Sequence, residues 1–192
     1  DGEILLRGDH IFVSYWRDPA ATARTVVDGW LHTGDVGELD EDGRLKITDR
    51  KKEIIITSGG KNIAPSEIEN RLKCSPYINE AIVIGDGRKY LTALIQIEYD
   101  NVGKWAQECG IAYTTFKSLS QNSRVLELIR QAVDEANKDF AQVETIKKFR
   151  LLDKELDHDD DELTATLKLR RKTVNKKFGH IIEAMYSSKS RA

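Results

Sequence analysis

The chain has 192 residues, 40% of them apolar and 32% charged, with 13 glycines and three prolines. That composition suits one or two folded domains and excludes a disordered or collagen-like chain. Thirty basic against 32 acidic side chains leave a net charge of −2, which carries no polyelectrolyte signal for nucleic acid, and no apolar run approaches the ~18 residues of a membrane span.

The chain opens Asp1-Gly2-Glu3 with no Met and runs directly into Ile4-Leu5-Leu6, a strand-type run; the expectation is a C-terminal piece of a longer protein, with a processed chain as the alternative. A second run, Ile11 to Val13, follows the turn Arg7-Gly8-Asp9 and reads as another strand. Asp18-Pro19 opens a short helix through Thr25. Val36–Leu39 and Leu45–Thr48 flank Asp40-Glu41-Asp42-Gly43, a hairpin signal.

From residue 51 the character changes. Glu53–Thr57 is a β run closed by Ser58-Gly59-Gly60, and Ser66 with Glu69 has the spacing of a capping box opening a short helix. Glu80–Gly85 and Tyr90–Glu98 read as strands joined by Asp86-Gly87-Arg88-Lys89. Asp100–Glu108 is helical and stops at Gly110. The longest helix spans Asn122–Phe140, with Val125, Leu128, Ile129, Ala132, Val133, Ala136 and Phe140 at helical spacing. Lys147–Leu152 reads as a strand and Lys168–Tyr186 as mostly helical. The expected class is α+β, with residues 1–50 as the β-rich end of one domain and 51–192 as a compact second one.

The two cysteines, Cys74 and Cys109, and four histidines show no zinc-ligand spacing, and the cysteine usage fits a reducing cytosol. Asp157, Asp159 and Asp161 imitate the start of a calcium loop. Glu162 stands where that loop needs glycine, and Lys168 where it needs the bidentate Glu. The acidic run reads instead as a solvated loop. From Lys168 to Arg191 eight basic residues face one acid, Glu183. Such a face suits phosphates, anionic lipid or plain solvent.

Four strings carry a resemblance: Asp28-Gly29-Trp30-Leu31-His32-Thr33-Gly34-Asp35, Asp49-Arg50-Lys51-Lys52, Ser58-Gly59-Gly60-Lys61-Asn62-Ile63-Ala64-Pro65-Ser66-Glu67-Ile68-Glu69, and Glu162-Leu163-Thr164-Ala165-Thr166-Leu167-Lys168-Leu169-Arg170-Arg171. In this order they resemble the C-terminal third of the adenylate-forming enzymes, the AMP-binding superfamily of acyl-CoA synthetases, luciferases and peptide-synthetase adenylation domains. Thr166-Leu167-Lys168 departs from the commoner Ser-Gly-Lys and is similar to the long-chain fatty acid–CoA ligase branch. The string Glu144 to Phe149 is similar to that branch as well.

The resemblance implies the tail of a large AMP-binding domain over 1–50 and a small mobile lid over 51–192. It implies that Asp35 accepts hydrogen bonds from the ATP or AMP ribose, that Arg50 contacts the same nucleotide, and that Lys168 is the catalytic lysine. The bland alternatives are a turn-capping Asp, a surface ion pair and a solvated basic face. Lys52 falls where the family has its hinge, and Gly59-Gly60 where a loop approaches the CoA pantetheine, though paired glycines also make a plain hairpin turn. The implied reaction uses fatty acid, ATP with Mg2+, and CoA, in a cytoplasmic enzyme that stays open to peripheral membrane contact and to homodimer formation. The family's triphosphate-binding loop and acyl pocket are missing from these residues, so the piece alone is expected to be inactive. Rival readings are a ligase for another carboxylic acid, a ligase passing acyl-AMP to a carrier protein, and a lipid- or partner-binding module using the basic C-terminal helix.

Overall fold

A computed structural model describes residues 2–187. Lys189 and Arg191 of the basic face lie outside the described residues. The chain divides into two compact units, one through Ile54 and one from Ile55 onward.

The first unit is an antiparallel sheet built around one long strand. Its elements are β1 (Glu3–Leu6), α1 (Pro19–Thr25), β2 (Val26–Val27), β3 (Trp30–Leu39) and β4 (Leu45–Arg50). β3 pairs with β1 between Leu31 and Val36, with β2 at Trp30 and Leu31, and with β4 from Asp35 onward, where Asp35 stands opposite Arg50 and Leu39 opposite Leu45. Asp18 caps α1 by accepting from the Ala21 N–H at 2.8 Å, and Pro19 follows at the first helical position, where its missing N–H costs nothing. Asp40 closes the β3–β4 turn by accepting from the N–H groups of Asp42 and Arg44. Ile11–Val13 is not a strand. The segment bends through an Ile11 N–H to Gly8 C=O turn, and Val13 is 93% exposed, so the apolar run meets no strand whose ladder it could join.

The second unit is a three-stranded sheet with helices on both faces. β5 (Ile55–Ile56) and β6 (Asn62–Ile63) form a small hairpin ahead of α2 (Pro65–Leu72). Then come β7 (Ile78–Ile84), β8 (Leu91–Ile97), α3 (Tyr99–Glu108), α4 (Phe116–Ser120), α5 (Ser123–Asn137), β9 (Ile146–Leu151), α6 (Arg171–Lys177) and α7 (Gly179–Ser187). β8 is central, antiparallel to β7 and parallel to β9.

Every residue of β8 is buried, and its period of two divides them between the faces. Leu91, Ala93, Ile95 and Ile97 join the core made with α2, α3 and α5. Leu94 joins a second core with Val174, Phe178, Ile182 and Met185. The polar residues on that second face are satisfied: Thr92 meets the Tyr186 hydroxyl at 3.1 Å, and Gln96 accepts from the Leu156 N–H at 3.0 Å. Mixed helices and sheets were the expected class, and this is what forms.

Several boundaries differ from the sequence reading, and β3 begins at Trp30 rather than Val36. The run at Glu53–Thr57 contributes only two strand residues. α5 ends at Asn137 rather than Phe140, because the Asn137 amide turns aside to pair with both the N–H and the C=O of Ile146. The capping box does not form. Pro65 sets the helix start one residue before Ser66, Ala64 becomes the N-cap, and Glu69 is directed into the interior instead. Among the described residues no helix is long and apolar enough to cross a membrane.

Candidate functional site

The β3–β4 ladder places Asp35 and Arg50 on directly paired positions, and Arg50 Nε reaches Asp35 Oδ1 at 2.9 Å. A carboxylate offers about four lone-pair sites, so Oδ2 remains able to accept from a vicinal diol.

The stretch of β3 before Asp35, which carries Gly34 at φ +72°, is pinned from several sides. The Thr33 hydroxyl donates to Ile4 C=O at 2.7 Å and accepts from the Asp35 N–H at 3.1 Å. The Lys51 N–H donates to Gly34 C=O at 2.8 Å. Glu3, which motif reading passed over, accepts from the Gly34 N–H at 3.1 Å and from Lys51 Nζ at 2.8 Å, with His32 Nδ1 at 3.1 Å. Hydrogen bonds from Lys51 and His32 hold its carboxyl down to about 2, well below the usual carboxylate range. Beside this part of β3 lies a cavity of about 470 Å³. Its lining includes Arg24, Arg50, Lys51 and Lys52 against the single carboxylate of Glu3, a charge balance suited to an anion.

Lys52 is exposed and follows Lys51, whose backbone and side chain are both engaged. Lys52 lies inside a turn that the Glu53 and Ile54 N–H groups close on the Arg50 C=O at 2.8 and 3.2 Å.

In the second unit Gly59 and Gly60 form the tip of the β5–β6 hairpin. Gly60 sits at φ +76° and donates to Thr57 C=O at 2.9 Å, a left-handed turn position that a side chain would strain.

The sequence pattern places Lys168 at the start of a helical segment, but it stands near the tip of a tight hairpin whose flanks meet at a Leu163–Leu169 bridge. Its N–H donates to Thr164 Oγ1 at 3.0 Å, and its C=O accepts from the Thr164 N–H at 2.8 Å. The side chain is exposed and makes no ion pair among the described residues. α6 begins only at Arg171, whose guanidinium forms a two-pronged pair with the buried Glu69 carboxylate at 2.7 and 2.5 Å.

The acidic loop before the hairpin is solvated at Asp157, His158, Asp159, Asp160 and Asp161 but not at Glu162, which is fully buried. Burial pushes the Glu162 carboxyl up. The ammonium groups of Lys177 and Lys154, with the Asp157 N–H, outweigh that and hold it below the ordinary range. Sequence reading missed Glu162 because nothing in a run of four acids marks which one turns inward. Its place just ahead of Leu163, a residue packed on the second core, was the available signal.

The structure thus pairs Asp35 with Arg50 and sets Lys52 just beyond them in the first unit, while Gly59, Gly60 and Lys168 stand on two separate hairpins of the second. Among the described residues no group of three His, Cys, Asp or Glu side chains is arranged to hold a metal ion, so no residue is assigned to Mg2+.

Comparison with known proteins supplies the family. Residues 52–190 match the AMP-binding enzyme C-terminal domain. The chain is 43% identical over 188 residues to the long-chain-fatty-acid–CoA ligase FadD15 of Mycobacterium tuberculosis, covering 97% of this chain and 31% of that protein. It is 36% identical over 204 residues to the human long-chain-fatty-acid–CoA ligase ACSBG1, covering 96% and 28%. Among solved structures, the adenylation domain of a Mycobacterium chelonae carboxylate reductase shares the fold at a TM-score of 0.78 and 24% identity, over 97% of this chain and 28% of that one. The O-succinylbenzoate coenzyme A synthetase of Bacillus subtilis, solved with ATP and magnesium, aligns at a TM-score of 0.60 and 29% identity, over 88% and 29%. The chain spans about a third of the length of the curated relatives it matches. With the family match covering most of its residues, the chain belongs to the AMP-binding enzyme C-terminal domain family.

Proposed function

We propose that the chain is the C-terminal part of a long-chain fatty acid–CoA ligase. That enzyme converts fatty acid, ATP and CoA to acyl-CoA, AMP and pyrophosphate through an acyl-adenylate. The observation that carries the proposal is the Asp35–Arg50 pair on facing strands, in a chain 43% identical to FadD15 over 97% of its length.

Each residue has a physical part. Asp35 accepts from the ribose hydroxyls through the oxygen that Arg50 leaves open, and Arg50 fixes that carboxylate and adds positive charge beside the nucleotide. In the first half-reaction a carboxylate oxygen of the fatty acid attacks the α-phosphorus and pyrophosphate departs. Negative charge is then shared between attacking and leaving oxygens, and the Lys168 ammonium on its four-carbon stem neutralises it. In the second, the CoA thiolate attacks the acyl carbonyl and AMP departs. Gly59-Gly60 gives the pantetheine a close backbone approach, and Lys52 is the pivot between the two settings. The parent acts in the cytoplasm, meeting fatty acid free or at the inner face of a membrane.

Two rivals differ only in upstream residues: a ligase for another carboxylic acid, and one that loads a carrier protein. The test is direct. The parent protein, given hexadecanoate, MgATP and CoA, is expected to release AMP and hexadecanoyl-CoA. Turnover confined to short or aromatic acids, or acyl-AMP that CoA does not discharge, would favour one of the rivals.

A further inference from the structure

We infer that Glu162 is a positioning residue for Lys168: its buried carboxylate, clamped between Lys154 and Lys177, fixes the base of the hairpin that carries the lysine at its tip. Glu162 has 0% exposure and makes contacts in three directions. Oε2 lies 2.9 Å from Lys154 Nζ and accepts from the Asp157 N–H at 3.0 Å, while Oε1 lies 2.9 Å from Lys177 Nζ. Its own N–H donates to Asp157 C=O at 3.1 Å, and its C=O accepts from the Arg170 N–H at 2.8 Å. One residue therefore joins the segment after β9, the first turn of the acidic loop, both flanks of the hairpin and α6.

The hairpin needs such a base because it is strained. Asp161 at φ +60° and Leu167 at φ +58° are both left-handed without being glycine, at a cost of about 1–2 kcal/mol for a residue such as Leu. Strain of this kind persists only where the surroundings over-determine the backbone. Leu167 is 73% exposed and cannot supply that restraint through packing. The Lys168 ammonium has no ion-pair partner among the described residues, so its position follows the hairpin backbone, to which the Thr164 hydroxyl also holds the Lys168 N–H.

A carboxylate is a poor choice if stability alone is required. Its desolvation offsets much of the Coulombic gain, and a well-packed apolar residue would serve as well. What the clamp adds is direction: two ammonium groups and one amide fix the Glu162 side chain, and with it the start of the hairpin, in one orientation.

The test, which rests on the role given to Lys168 above, measures both half-reactions separately in the parent ligase for Glu162→Gln, Glu162→Asp and Lys168→Ala. Glu162→Gln keeps the shape and removes the charge that holds both lysines. It is expected to slow acyl-AMP formation by roughly 10- to 100-fold, the scale of a misplacement near 1 Å, with acyl transfer from supplied acyl-AMP within about twofold of normal. Glu162→Asp should recover part of the loss. If Glu162→Gln does not fold, Lys177→Gln on the partly exposed side of the clamp should show the same selective loss more weakly. Equal loss in both half-reactions would make Glu162 a residue of the fold only and overturn the inference. So would normal adenylation by Glu162→Gln while Lys168→Ala abolishes it. Normal adenylation by Lys168→Ala would instead remove the role on which the inference stands.

Discussion

Glu69→Ala should be among the most damaging substitutions available in the second unit, and the structure sets its magnitude. Glu69 is 6% exposed. It accepts from the Val83 N–H at 2.8 Å and from both terminal nitrogens of Arg171. β7 is an edge of its sheet, so the Val83 amide would otherwise face the interior without a strand beside it. Leaving that amide unsatisfied costs about 1–3 kcal/mol. Arg171, with its side chain 20% exposed, can regain some water, so only part of its charge-assisted bonding is lost. Together these give about 3–4 kcal/mol, near the lower end of what breaking a buried pair costs. With a urea m-value of about 2 kcal/mol/M, the midpoint should fall by roughly 1.5–2 M. Urea unfolding of the chain, followed by far-UV circular dichroism, reads the shift directly. A loss below about 1 kcal/mol at unchanged m would show that water replaces the carboxylate freely and refute the reasoning.

Asp35→Asn should separate site from scaffold. The Arg50 pair is exposed enough that its loss costs under about 1 kcal/mol, whereas AMP affinity of the parent ligase should fall by about tenfold or more through loss of a charged acceptor; equal AMP binding by calorimetry would contradict the ribose role. The Glu3 carboxyl, held at about 2 against an ordinary 4.5, favours the fold through its ionised form. Its contribution is complete above about pH 4.5 and drains away as pH falls toward 2. Glu3→Gln should flatten the acid limb of the first unit's unfolding, read from β3 amide resonances, and an unchanged limb would refute the assignment. Lys52→Pro, which fixes φ at the proposed pivot, should split the two half-reactions of the parent ligase. Equal activity in both would move the pivot elsewhere.

The sequence revealed what depends on period and turn chemistry. The two strands around residues 80–98, the apolar stripe of α5, the Asp18-Pro19 helix start and the Asp40–Gly43 turn are all local signals, and each formed where the pattern put it. Ile11–Val13 failed because a strand needs a partner that three apolar residues do not specify. The Ser66–Glu69 spacing misled because a distant amide and guanidinium outbid a local cap for the same carboxylate. Motif order singled out Asp35, Arg50 and Lys168, and the ladder then placed two of them opposite each other. Glu3 and Glu162 were hidden for one shared reason. Each is an ordinary Glu by local pattern, and each becomes distinctive only through lysines distant in sequence, 48 residues away for Glu3 and 8 and 15 residues away for Glu162.

The most direct measurement is the Lys168→Ala parent ligase assayed in two halves. Acyl-AMP formation from fatty acid and MgATP should be nearly abolished, while acyl transfer to CoA from supplied acyl-AMP continues at close to the normal rate. A folded Lys168→Ala enzyme that adenylates normally, or that loses both halves equally, would contradict the assignment of the adenylation step to this lysine.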